Sequence, residues 1–278
     1  MSLSAQELER ILVELPPGPR MPAIFVGHGS PANGTEDNPF TRSLVRMGRD
    51  FAEAPRAILV ISAHWLTAGV KVQAGERPET IHDFGGFPEE LYRIQYPAPG
   101  APLYARATSQ LLAGEAAETT EWGLDHGAWA VLRHIFPEAR IPVFQLSIDW
   151  ARNIDFHFEF ARALRPLRDR GVLILGSGNI VHNLRQSMPR FATGDRRPFD
   201  WAVEFDAWVK GRLDAGDFAG LARHGEAGRS ALLSVPSPDH YVPLLYTAAV
   251  ADPGETITQV YEEVCYGGIS MRTFRVEQ

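Results

Sequence analysis

The sequence has a single cysteine, Cys265, among 278 residues. One thiol excludes an intramolecular disulfide and any Cys-x-x-Cys zinc or redox motif, and it fits a reducing compartment, so the cytoplasm is the expected location. No apolar run reaches the roughly 18–20 residues needed to cross a bilayer. Residues 2–10 lack a basic stretch followed by an apolar one, so no signal peptide is expected. An excess of positive charge is also missing. Lys and Arg number 27 against 34 Asp and Glu, a formal net charge of −7. No basic stripe is left for nucleic acid, and neither nucleic acid nor membrane is an expected partner. His-Glu-x-x-His is absent, and so is the Walker A pattern.

What remains is an ordinary globular composition, 45% hydrophobic and 22% charged. Short β-branched runs predict buried strands at Pro22–Gly27, Ala57–Ala63, Ile141–Ile148 and Val172–Leu175. An alternating strand is expected at Val70–Ala74 and late strands at Thr256–Val264 and Ile269–Phe274. Between them, helical patterns cover Ser4–Leu15, Asn38–Arg49, Pro102–Leu112, Gly127–Phe136, Phe156–Arg168, Phe199–Leu213 and Tyr241–Val250. This alternation predicts an α/β fold with a central, mainly parallel or mixed sheet flanked by helices. No repeat, low-complexity tract or linker interrupts it, so residues 1–278 are expected to form a single domain. Residues 78–101, rich in Gly, Pro and aromatics, read as a long ordered loop, a type more often functional than idle.

Four of the nine histidines sit where such a fold gathers its chemistry, beyond the carboxyl ends of the strands. His28 ends one apolar run and His64 another. His182 follows Gly176-Ser-Gly178, expected to deliver it on the first turn of a helix, and His240 follows the turn Pro236-Ser-Pro-Asp239. Several converging imidazoles suggest a metal. Leu124-Asp-His-Gly127 adds His126, with Asp125 as a candidate orienter, and His82 lies beside Asp83 in the loop. Trp65 and Trp129 are candidate pocket walls, whereas Trp201, Phe205 and Trp208 recur at helical spacing and read as core. Ser177 lacks the Gly-x-Ser-x-Gly context of a serine nucleophile.

Six ordered segments share a further feature. Gly27-His-Gly-Ser-Pro31, Ile61-Ser-Ala-His-Trp65, His82-Asp-Phe-Gly-Gly-Phe-Pro88 with Tyr96-Pro-Ala-Pro-Gly100, Gly123-Leu-Asp-His-Gly-Ala-Trp129, Gly176-Ser-Gly-Asn-Ile-Val-His-Asn183 and Pro236-Ser-Pro-Asp-His-Tyr-Val-Pro-Leu-Leu245 together resemble the DOPA extradiol dioxygenase type of the class III extradiol ring-cleavage dioxygenases. The resemblance implies a mononuclear metal on His28, His64 and His240, with His182 and His126 at the reacting centre. It implies a catechol and O₂ as reactants. Fe(II) is the expected working ion, with Zn(II) able to occupy an all-nitrogen site. His82, Phe84, Tyr96 and Trp65 are the expected substrate contacts. Two other readings stay open on these residues, a Zn-dependent hydrolase on the same scaffold and a metal-binding protein without turnover.

Overall fold

The computed structural model describes residues 3–278. Ten strands form among the described residues: β1 Ala23–Gly27, β2 Ala57–Thr67, β3 Val70–Gln73, β4 Ala116–Thr119, β5 Val143–Asp149, β6 Val172–Gly178, β7 Thr256–Tyr261, β8 Val264–Cys265, β9 Ile269–Ser270 and β10 Thr273–Glu277. The helices are α1 Ala5–Val13, α2 Pro39–Arg49, α3 Glu89–Tyr92, α4 Pro102–Leu111, α5 His126–Ile135, α6 Ile154–Ala161, α7 Leu184–Thr193, α8 Asp200–Asp214, α9 Arg229–Ser234 and α10 Val242–Ala249. Eight strands build one mixed sheet in the order β4-β3-β5-β2-β6-β1-β10-β7. Its centre, β5-β2-β6-β1, is wholly parallel, and antiparallel β10 and β7 extend one edge.

The central strands read as continuous apolar runs because both faces of the sheet are covered. Phe25, Leu59, Ile61 and Ile174 pack with α10, α6 and α8 on one face. Their neighbours Ile24, Val26, Val60 and Leu175 pack with α2 and α5 on the other. Period-two alternation thus feeds two cores rather than one core and solvent. Residues 78–101 hold only the single turn α3 and one isolated bridge, from Thr80 to Leu124.

Several expected boundaries move. The expected helix over Phe156–Arg168 is α6 followed by a 3₁₀ stretch, Arg162–Arg170, that accommodates Pro166. The stretch expected as a strand at Ile269–Phe274 is split, its first two residues pairing with β8 and Thr273 opening β10. His182 is not on a helix. It makes an isolated antiparallel bridge to Ile269, its N–H donates to the Ser234 carbonyl at 2.9 Å, and α7 begins only after Asn183, whose side chain caps it. That cap consumes the residue at which a helix containing His182 would have continued.

β2 also continues through His64 instead of stopping before it. Its register against β5 breaks between Ile61 and Leu66, a bulge that re-aims the intervening side chains beside the carboxyl edge of the parallel block. At β6 the constraint is contact. A Cβ on Gly178 would lie 2.2 Å from the His240 carbonyl oxygen, so only glycine lets the His240 segment seat there. Gly178→Ala is expected to cost about 1–3 kcal/mol of stability and to lower metal content with it. Chemical denaturation and metal analysis of the variant test both; unchanged metal content would separate the strand end from the site.

Candidate metal centre

The four histidines gather on the carboxyl edge of the parallel block, as expected, and His126 joins them from the first residue of α5. Asp125 caps α5, its carboxylate accepting from the Ala128 N–H at 3.2 Å and from the Ser62 hydroxyl at 2.6 Å. It therefore anchors the helix to β2 and does not orient His126. The rings of His28, His64, His126 and His240 lie with centroids 3.9–5.6 Å apart in the pairs that touch. His182 lies flat on His240, with centroids 3.5 Å apart and planes 7° from parallel.

Hydrogen bonds fix which nitrogen of His28 and of His240 faces inward. The Ser177 hydroxyl donates to the Gly127 carbonyl at 2.6 Å, so its oxygen accepts from His28 Nδ1 at 2.9 Å. The lone pair of His28 is then on Nε2. His64 turns Nδ1 toward Asp83 at 3.6 Å and brings Nε2 to 3.1 Å from His28 Nε2. Asp239 accepts from His240 Nδ1, which again leaves Nε2 free. At that separation one hydrogen, carried on Nε2 of a neutral His64, or one cation fits between the two nitrogens. Burial, then the neighbouring imidazoles, push His28 and His64 well below the usual histidine range, so both rings are neutral, and with the His64 hydrogen on Nδ1 both Nε2 atoms can bind a cation.

One nitrogen from each of His28, His64 and His240 lies within 4.8 Å of the others. Two further groups meet the same limit, His64 with Asp83 and His126, and His182 with Asp239 and His240. In both, the carboxylate already accepts from a histidine Nδ1, at 2.9 Å for Asp83 and His126. A cation there would compete with that bond for the carboxylate's charge. The three-imidazole set involves no such competition and fits a borderline divalent metal. Burial raises the Asp239 carboxyl, but its bond to His240 outweighs this and holds it well below the carboxylate range. It stays an anion behind the seat.

Over this seat lies a cavity of about 540 Å³ with mostly apolar walls, formed by Phe84, Phe87, Leu184, Met188, Phe191 and Ile269 around the rims of His64, His126, His182 and His240. Phe84 is where the loop was expected to contribute. Three other expected contacts lie elsewhere. Trp65 follows His64 along a strand and so points to the opposite side, stacking on Trp122. The Tyr96 hydroxyl donates to the Phe136 carbonyl at 2.9 Å inside the core. His82 is held by the Ile94 carbonyl at 3.1 Å and backs Phe84 from behind. Trp129, too, is wholly buried, donating to the Ile81 carbonyl. Missing from the expected set were Asp83 and Ser177, whose partners lie 43 and 149 residues away, and the α7 wall. Leu184, Met188 and Phe191 do carry a signal, an apolar stripe at helical spacing.

The depressed histidines set a pH dependence. Unfolded, they titrate near 6.5; folded and metal-free, they stay neutral to lower pH. The unfolded chain therefore binds more protons as pH falls below that value, and the metal-free fold loses stability there while none is lost above it. Thermal scans of metal-free protein should show a flat melting temperature above about pH 7 and a decline below about 6.5, shallower in His28→Gln. A profile flat down to about pH 5 would contradict the burial of these rings in neutral form.

Residues 21–273 match the family described as the catalytic LigB subunit of aromatic ring-opening dioxygenase. A 4,5-DOPA dioxygenase extradiol of Escherichia coli K12 is 44% identical over 265 residues, which cover 92% of this chain and 95% of the relative. A protein of the same name from Beta vulgaris is 37% identical over 80% of this chain and 83% of its own length. A solved structure of an uncharacterized Escherichia coli K12 protein superposes with a TM-score of 0.80 at 40% identity, covering 92% of this chain and all of that one. The family implies a metal cofactor and a small aromatic substrate oxidised by O₂. A family model over most of the sequence and a relative of this identity and coverage place the protein: the chain belongs to the LigB family of aromatic ring-opening dioxygenases.

Proposed function

We propose that the enzyme opens a catechol of DOPA type beside its paired hydroxyls, with Fe(II) on His28, His64 and His240, in the cytoplasm. The observation that carries this reading is the pairing of an all-imidazole seat with an apolar cavity into which two further imidazoles project. The names of the relatives supply the substrate class. A bound ferrous ion would hold the catechol oxygens next to O₂ and pass electrons between them. Zn(II), which suits the same donors, lacks that redox capacity and is the ion expected to occupy the seat without turnover.

The protein's part is binding and proton handling. Phe84, Phe87 and Phe191 offer faces and edges to an aromatic ring and keep water from it. His182 is the group we assign as proton shuttle. Neither of its ring nitrogens is tied by a side-chain hydrogen bond among the described residues, unlike His28, His126 and His240. It is free to accept at one nitrogen and donate at the other. Burial, then the adjoining His240, push its pKa down to about 2 against the pull of Asp239. The ring therefore starts neutral, takes a proton from a catechol hydroxyl only while the resulting anion stays beside it, and readily returns that proton as the ring opens. His126 hydrogen-bonds a reactant oxygen from the opposite rim.

Anaerobic loading with Fe(II) or Zn(II), then O₂ uptake with a panel of catechols, tests the reading. Uptake is expected with Fe(II) alone, and O₂-independent hydrolysis would reject it. His182→Ala should keep its metal and lose turnover by roughly 10²–10⁴-fold, whereas His28→Ala and His64→Ala lose both. If His182→Ala is as metal-poor as His64→Ala, His182 is a ligand. Phe84→Ala should raise KM with little change in metal content, and equal loss of both would make that loop scaffold.

A further inference from the structure

We infer that Asp83 is a positioning residue that locks His126 into the tautomer with its proton on Nδ1, so that Nε2 meets substrate as an acceptor. The inference rests on the role proposed for His126 at the reacting centre. Asp83 grips His126 twice. Its Oδ1 accepts from the His126 backbone N–H at 2.8 Å and its Oδ2 takes the Nδ1 side of the ring at 2.9 Å. A carboxylate accepts only, so Nδ1 must carry the hydrogen. The two bonds fix both the start of α5 and the rotation of the ring about it. His126 is also buried, and its ring lies 3.9 Å from that of His64, which leaves no room to flip.

The consequence is a division of labour. His126 can only receive a hydrogen from a reactant hydroxyl, while His182, untied, can receive and give. Asp83 immediately precedes Phe84, Gly85, Gly86 and Phe87 of the cavity wall, so the same carboxylate ties that wall to the ring it orients. His64 Nδ1 stands 3.6 Å away, beyond hydrogen-bond range, so the metal seat does not depend on Asp83.

Asp83→Asn separates these statements. The amide oxygen can still accept from the His126 N–H, but its NH₂ then faces Nδ1, and the ring must move its hydrogen to Nε2. Nitrogen NMR of zinc-loaded protein labelled at histidine, assigned by comparison with His126→Gln, reads this directly. The expected result is an Nδ1–H tautomer for His126 in the wild type and Nε2–H in Asp83→Asn, at unchanged zinc stoichiometry. Fe(II)-loaded Asp83→Asn should lose roughly 10²–10⁴-fold in kcat, the scale of a wrong-tautomer base, with KM within a few-fold. An Nε2–H tautomer in the wild type overturns the inference without any variant, as does loss of zinc from Asp83→Asn, which would make Asp83 part of the seat. If the tautomer switches but kcat does not fall, the positioning stands and the proposed part of His126 in the chemistry fails.

Discussion

Five imidazoles packed ring against ring cannot all be protonated, and the site is organised around that repulsion. Burial removes the water that would solvate the charged form, and each neighbouring ring penalises it further, so His28, His64 and His182 are held neutral. Each neutral ring carries one lone pair, and the Nε2 atoms of His28 and His64, 3.1 Å apart, can share a hydrogen in the metal-free site or turn both lone pairs to a cation. The fold meets this with acceptors placed behind three of the rings. The Ser177 oxygen, Asp83 and Asp239 take Nδ1–H of His28, His126 and His240, and the opposite nitrogens are thereby turned toward the centre.

Those acceptors can be placed only because the backbone comes unusually close. A Cβ on Gly127 would lie 2.4 Å from the Ser62 hydroxyl oxygen and 3.1 Å from the His64 ring, so the first turn of α5 approaches β2 as no other residue would allow. Asp125 closes that approach. It is wholly buried, and its carboxyl is raised by burial and by Asp83, against the bonds from Ser62 and Trp122. Helix start, strand bulge and cap thus form one joint that carries His64 on one side and His126 on the other.

The sequence made the joint's residues visible but not their pairing. Apolar runs such as Ala57–Ala63 were legible as strands because two covered faces demand unbroken hydrophobicity, and a histidine ending such a run stands out. The side on which a residue emerges was not legible. The bulge after Ile61 has no composition of its own, and strand alternation turns Trp65 into a stack with Trp122 while His64 faces the cavity. Tyr96 and His82 sit in a loop whose path is set by carbonyls of Phe136 and Ile94, contacts that no periodicity encodes. Ser177 could be dismissed as a nucleophile from its neighbours, yet its service to His28, 149 residues away, depends on the parallel pairing of β1 with β6. Asp83 stood in plain view beside His82, but which histidine it serves is decided by the loop closing over α5.

The placement of the carboxylates bears on reactivity. Asp83 and Asp239 both lie near enough to metal-binding positions to complete a set of two histidines and a carboxylate, yet each is committed to a ring instead. A seat of three neutral imidazoles leaves the full charge of a divalent ion for its exchangeable ligands, whereas a coordinated carboxylate would cancel part of it. The proposed substrate binds as an anion once its hydroxyl proton has been taken up, so that retained charge favours catecholate over neutral arenes and over water. The negative charge is not discarded, only moved one residue outward. From there Asp239 would strengthen His240 as a donor through the Nδ1 bond, and Asp83 holds His126, the ring assigned to the substrate. Direct ligation by either would both weaken the attraction for an anionic substrate and loosen a ring to which the proposed reaction gives a part.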